Sequence, residues 1–579
     1  MFKKNTQHRQ LALISNVNDL PEKYRQRLDQ SWAGVFYREF FCRIDEEPFA
    51  VLYANMPSRP NVPVNVLVGL DTLKAGFGWS DEEMHDAFLF DLQVRFALGL
   101  HQFGEGDFDL RTVYNHRSRV AQHMQKTGEN LIEKAFEQVA DEQVQVYELK
   151  TGKLRMDSTQ IASNIREMTR VQLLVEVLQR VQRMLNVVDK SQYEEAISPY
   201  LKGSSGQYVY HIKPGESDEH LQRIGELMHK LVGELASSYG SEPAYQVLER
   251  VFSEHFVIEE RQLRPKEGQE LSASSLQSPD DWEATYRQKR GEGYHGYVAN
   301  ATETCHPDNP LQLIIKVQVE PNTTDDAAML EEALPDLKAR TDVKEMHNDG
   351  GYNSPEVDEA MQQHQVTQVQ TAIRGAKPSS KKLALGAFDW ESDDEGKPQR
   401  VTCPGGHIAA VIPGRKEGRY LAYFSQPDCD DCPLVTKCPT EVLERKPQRA
   451  LRFSQQQVNV AQRRKRSAEA RSSGQNLRAA VEATMRSIKH PFRNGKVPVR
   501  GLPRMSMVVI GSAAMSNVRS IQRHQIAKRK AMKVAKRAWE QANERARKLL
   551  DSSVYFFISR FCRLLHFLCL SQPILVPIY

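Results

Sequence analysis

The chain has 579 residues, 40% of them hydrophobic and 26% charged, with a mean hydropathy of -0.56, the composition of an ordinary soluble protein with room for about two to four structural units. Its formal net charge is only +4, yet Glu441 to Leu550 holds 27 Lys and Arg against 6 Asp and Glu, a net of +21 that leaves -17 for the remainder. That asymmetry is the footprint of a phosphate-backbone partner, and eight cysteines, four of them in one short stretch, exclude a disulfide framework and favour a reducing cytoplasm.

The N-terminal MFKKNTQHRQLALISN lacks the apolar core of a signal peptide. Residues 20–145 read mostly as helix. Asp81–Leu100 is expected as one helix behind an N-capping Ser80, with acids in its first turn and Gly99 near its end. Leu110–Met124 follows with interleaved basic residues, so residues 1–145 form an all-α domain with room for a helix-turn-helix element. At Lys153 the pattern changes. KLRMDSTQIASN alternates like a strand presenting polar groups at its tip, and residues 150–165 open an α/β core.

The repeating apolar positions from Arg166 to Phe256 then predict a helical insertion over 166–275. Residues 280–376 return to the core. Tyr294–Thr304 and Leu311–Glu320 alternate as paired strands, and Asp325–Arg340 is an amphipathic helix. Asp342–His347 is a short strand, Pro355–Gln363 a helix capped by Ser354, and Val366–Ile373 a further strand. Residues 377–470 hold a polar, Cys-rich insertion, too polar to bury much core, ending in a basic linker. Asn476–His490 reads as a helix within a last core segment, 474–522. Residues 523–550 form a basic helix. In the tail, 551–579, Arg560, Arg563 and His566 interrupt the apolar run, so no membrane span is expected.

Asp157, at the end of its strand, and Asp349, between a strand and Gly350-Gly351, are acids placed where side chains project from a sheet. Glu482 is a lone acid on an otherwise basic segment. Phosphodiester chemistry needs such sparse acids, because two Mg2+ or Mn2+ ions held by carboxylates activate the attacking oxygen and stabilise the leaving one. On a helix at about 100° per residue, Glu482 and Lys489 fall roughly 40° and 20° from Arg478, one face combining an acid with two cations. Capping and turn formation are the ordinary roles of acids after strands, and Asp342 and Glu469 are rival positions.

Taken together, MDSTQIASNI, NDGGYNSPEVDEA and RAAVEATMRSIKHPFRNGKVPVRGL resemble the three signature regions of bacterial insertion-sequence DDE transposases. The likeness is greatest to the type designated eleven eighty-two, which carries a Cys-rich insert. FDLRTVYNHRSR and DDWEATYRQKRGEGYHGYV extend the resemblance over roughly residues 20–520. It implies an RNase H-like mixed sheet whose first and fourth strands lie side by side, with Asp157, Asp349 and Glu482 as catalytic metal-binding triad. Arg478 and Lys489 would contact transposon-end DNA, with Arg486, Arg493 and Lys496 as further DNA-binding cations. The pattern departs in one place, having Gln475 where the family has Tyr. DNA (terminal inverted repeats and target), a homodimer and no membrane are the implied partners.

Cys403, Cys429, Cys432 and Cys438 are spaced to supply a tetrahedral Zn2+ site, with His407 as substitute ligand. Metal-dependent cleavage and strand transfer is thus the leading expectation. A non-transposing RNase H-like nuclease and a non-catalytic zinc-containing DNA-binding protein are the alternatives.

Overall fold

The structure is a computed structural model that describes residues 1–9, 15–54, 60–213, 215–289, 291–371, 373, 381–393, 396–472, 477–549, 559–564 and 566. Gln475, Cys569 and most of the apolar tail lie outside the described residues. The chain divides into two compact units, one of Met1–Leu70, Asp81–Thr112 and Asn517–Tyr579, the other of Asp71–Ser80 with Val113–Ser516.

The first unit is helical, around the buried side chains of Phe36, Phe41, Leu67, Leu70 and Phe88. The single helix expected over Asp81–Leu100 is two, Asp81–Phe90 and Leu92–Ala97. Asp91 interrupts it by taking extended backbone and accepting from the amides of Gln93 and Val94, because its short carboxylate satisfies a new helix start better than it continues an old one. The buried guanidinium of Arg95 seals the following turn by donating to the carbonyls of Phe88, Gln102 and Glu105.

The second unit is built on a mixed sheet. Its strands are β1 (Lys153–Ala162), β2 (Thr285–Lys289), β3 (Glu292–Thr304), β4 (Ile314–Pro321), β5 (Glu345–Asn348) and β6 (Thr367–Gln370). β3 lies antiparallel to β1 and carries β2 and β4, while β5 and β6 run parallel to β1 on its other side. The mixed α/β class expected from the sequence is therefore present; the strand expected as fourth, at 342–347, is β5, fifth in chain order because β2 was not anticipated, and it lies parallel to β1.

Side chains alternate across a strand, so β1 has two unlike faces. Leu154 and Met156 are buried with residues of α1 (Asp326–Arg340) and α2 (Pro355–Gln363), among them Leu330, Leu334, Leu337, Val357 and Met361. Arg155, Asp157 and Thr159 point the other way. Ser354 starts α2 by accepting from the amide of Val357.

Between β1 and β2, five α-helices from Arg170 to His255 enclose a separate core that includes Leu174, Leu178, Ile224, Leu231 and Leu248. Beyond β6, a six-stranded antiparallel sheet has the spatial order Glu441–Val442, Gln448–Ser454, Arg419–Ser425, Ile408–Pro413, Pro398–Thr402 and Asp389–Ser392. Phe388, Val401, Ala422, Phe424, Leu451 and Phe453 form its core. The expectation of an insert too polar for a core is thus overturned: the inward apolar residues are few and dispersed over short strands, so composition averages them away. The expected linker is α3 (Gln455–Ser472), whose Arg463 pairs with Asp358 of α2.

The segment after it forms α4 (Val481–Lys489), and the chain then enters α5 (Leu502–Leu549), one continuous helix. Its first turns bury Met505, Val509, Ile510, Ala513 and Met515. They cross the helix Val64–Phe77 at Gly511, where a Cβ would lie 3.0 Å from that of Ala75. The Cβ of an alanine at Gly76 would stand 2.2 Å from Met515, so this crossing needs glycine. No helix among the described residues is long and apolar enough to cross a membrane.

Leu330 is 0% exposed under the sheet, whereas Val187 is 81% exposed. Leu330→Ala is expected to lower stability by about 2–5 kcal/mol and Val187→Ala by no more than about 0.5 kcal/mol. Denaturant unfolding checks this, and equal effects would contradict the assigned core.

Candidate active site

β1 and β5 pair Arg155 with His347, and carrying that register on by two residues sets Asp349 beside Asp157. Adjacent strands lie about 4.8 Å apart, so two carboxylates are forced together where β5 ends beside β1. Asp157 is not at the end of its strand as expected but midway along it, because β1 continues to Ala162 against β3. The turn after β5 holds Asp349 from below. The Gly351 amide donates to its Oδ1 at 2.7 Å, and the Gln370 amide group donates to its carbonyl at 3.2 Å. Tyr352, fully buried, anchors this turn by donating to Asn300 Oδ1 of β3 at 2.7 Å.

The pair closes on one cation. Arg478 Nη2 stands 3.3 Å from each carboxylate oxygen of Asp157 and 3.7 Å from Asp349 Oδ2. Burial pushes the Asp157 carboxyl above its ordinary range, Arg478 opposes this and the charge of Asp349 adds to it. Two acids in a recess of this kind suit a cation better than they suit each other.

α4 covers the same face of β1, burying Val481, Met485 and Ile488. The expected helix starts later than Asn476: Ala480 is its N-cap, so Arg478 lies in the preceding turn and the helical phasing that joined it to Glu482 does not apply. Glu482 sits in the first turn of α4 with its side chain exposed. Seven residues on, the Lys489 ammonium meets Thr159 Oγ1 at 3.4 Å, and burial lowers its pKa. Arg486 and Arg493 are exposed, and Lys496 Nζ donates to the carbonyl of Ile165 at 3.0 Å. Of the rivals, Asp342 precedes β5 at its opposite end and Glu469 lies on α3.

A buried ion pair that sequence reasoning missed ties these parts together. Arg155 Nε donates to Glu303 Oε2 at 2.8 Å across the β1–β3 register, with both side chains under 10% exposed. Arg155 also donates to the carbonyl of Leu477 at 2.9 Å, and Thr484 of α4 donates to Glu303 at 2.9 Å. The strand next to Asp157, the turn bearing Arg478 and the helix bearing Glu482 thereby share one polar junction. The only signal was an acid at an inward position of an alternating strand.

Cys403, Cys429, Cys432 and Cys438 line one cavity of about 20 Å3 with His407 at its wall, room for about one water-sized sphere. All four are free thiols, and burial raises the pKa of Cys429. Neither they nor the three acids stand in a ready-made ligand group: among the described residues no three His, Cys, Asp or Glu side chains are so arranged.

Residues 402–522 match the family model described as a transposase DDE domain. That stretch includes Arg478, Glu482 and Lys489 and excludes Asp157 and Asp349. No curated protein and no solved structure matches the chain.

Removing one partner of a buried pair strands the other charge, at a cost of about 3–5 kcal/mol. Glu303→Leu should therefore strip hydrogen-exchange protection from β1 and β3, and adding Arg155→Met should restore most of it. Equal loss in the single and double variants would contradict the pairing.

Proposed function

We propose that the chain is a DDE transposase of an insertion sequence, with an RNase H-like core that cleaves DNA at terminal inverted repeats and joins the freed ends to target DNA. One observation carries this reading: Asp157 on β1 and Asp349, in the turn directly after the parallel neighbour β5, converge on a single cationic group, beside a helix that lies within the stretch similar to transposase DDE domains. The strand order, with β1 and β5 adjacent and β3 and β4 antiparallel beyond them, is compatible with that core.

Asp157, Asp349 and Glu482 would hold two Mg2+ or Mn2+ ions. When bound, such ions activate the attacking oxygen and stabilise the leaving one. The protein's own groups do the remainder. The junction of Arg155, Glu303 and Thr484 tethers the acid-bearing elements to one another. Arg478, released from the carboxylates, becomes free to bind a phosphate of the scissile strand, and Lys489 lies farther along β1 to take another. Arg486, Arg493 and Lys496 extend the cationic surface. In hydrolysis, water oxygen bonds to phosphorus as the P–O3′ bond breaks and the 3′ oxygen takes up a proton. In joining, that 3′-hydroxyl attacks a target phosphate, loses its proton and displaces the target 3′ oxygen.

The helical region up to residue 145 would recognise DNA, and a homodimer would bring two ends together in the bacterial cytoplasm. The Cys-rich unit would be closed by structural Zn2+ on Cys403, Cys429, Cys432 and Cys438, whose side chains border one cavity.

Two measurements test this. With Mg2+ and a duplex containing the element's own ends, Asp157→Ala, Asp349→Ala and Glu482→Ala should each lower cleavage by at least about 10²-fold. Wild-type rates would refute the site, and nicking without joining would point to a simple nuclease. Metal analysis of the purified chain should find one zinc per chain, lost in Cys432→Ser; no zinc in either protein would refute the second assignment.

A further inference from the structure

Five residues beyond Asp157, β1 ends against a second feature. Ala162 bridges to Lys496, and the Val497 amide donates to the Ala162 carbonyl at 3.0 Å. At about 3.3 Å per residue this lies roughly 16 Å from the acids. Here Trp79, Phe492 and Pro498 line a cleft of about 200 Å3, with Lys74, Arg493 and Lys496 also at its walls. Trp79 stacks on Phe77 with ring centroids 4.6 Å apart and planes 15° from parallel. Gly78, at φ +74°, sets this turn against the segment after α4: a Cβ there would be 2.3 Å from the Pro491 carbonyl oxygen.

The cations follow the strand in order, Arg478 at Asp157, Lys489 at Thr159 and Lys496 at Ala162. Among the described residues, Lys489, Arg493 and Lys496 meet no carboxylate at ion-pair distance. Unneutralised cations in a row, ending at an aromatic platform, are the two components of a single-strand binding track, one for phosphates and one for bases. The cleft is smaller than the roughly 300–1,000 Å3 of sites for drug-sized molecules, a size suited to one ring system and closed to a base pair.

We propose that this cleft is a subsite for one unpaired nucleobase of the DNA strand whose backbone runs along β1 from the acid pair. The inference rests on the reading of the protein as a DNA-processing enzyme and adds a preference for ends that are frayed or single-stranded.

The test uses the full chain and two oligonucleotides, a blunt duplex and the same duplex with a three-nucleotide single-stranded extension carrying 2-aminopurine. Wild type should bind the extended DNA more tightly and change the 2-aminopurine fluorescence. Trp79→Ala should lose that preference by on the order of 5- to 100-fold and abolish the fluorescence change, whereas Trp79→Phe should keep both. Arg493→Ala with Lys496→Ala should weaken both DNAs and flatten the salt dependence by about two phosphate contacts. If Trp79→Ala binds the extended DNA as wild type does, or weakens both DNAs equally while its thermal melt is unchanged, the subsite is refuted. That failure is separable: cleavage that depends on Asp157 with a silent Trp79→Ala sinks the subsite alone, while cleavage indifferent to Asp157→Ala sinks the enzyme assignment.

Discussion

Two carboxylates that repel each other are brought together where β5 ends beside β1, and a cation must answer them. This constraint organises the second unit. The parallel pairing of β1 with β5 sets Asp157 next to Asp349, and burial discourages Asp157 from carrying its charge alone. Arg478 supplies the positive charge from the turn before α4. Around this triplet the fold divides its labour. One face of β1 is apolar and sealed by α1 and α2, while the other is polar and belongs to α4 and its preceding turn.

The Cys-rich unit makes sense in the same frame. Between Gln370 at the end of β6 and Val481 at the start of α4, the chain departs, folds a separate antiparallel sheet with its own core, and comes back along α3. The Arg463–Asp358 pair fastens that return to α2, so the long separation in sequence between Asp349 and Glu482 is compatible with α4 reaching β1. The acid on α4 is exposed and apart from the other two, and on the proposed reading it completes the site once metal and DNA replace the guanidinium.

What was legible in the residues follows physical range. β3 and β4 betrayed themselves by period-two alternation, and α2 by Ser354 and Pro355 at its start, because these signals are local. Local reasoning also misled. Apolar periodicity carried a helix through Asp91, whose carboxylate caps a new one, and put Arg478 on α4 although the helix begins three residues later. The core of the Cys-rich sheet was hidden because its few inward residues are scattered over six short strands. The Arg155–Glu303 junction was invisible for a stronger reason: its partners are 148 residues apart and meet only through the β1–β3 register, which no spacing reveals. The proximity of Asp157 and Asp349 likewise required a topology, and the sequence supported that topology only through its resemblance to a family.

On the proposed function, Arg478 and a divalent ion compete for one position between the carboxylates of Asp157 and Asp349. Mn2+ binding followed by electron paramagnetic resonance tests it most directly, on wild type, Asp349→Ala and Arg478→Gln. Asp349→Ala should lose the bound Mn2+ and Arg478→Gln should bind it more tightly, since a competing cation has been removed. Mn2+ binding unchanged in both variants would contradict it.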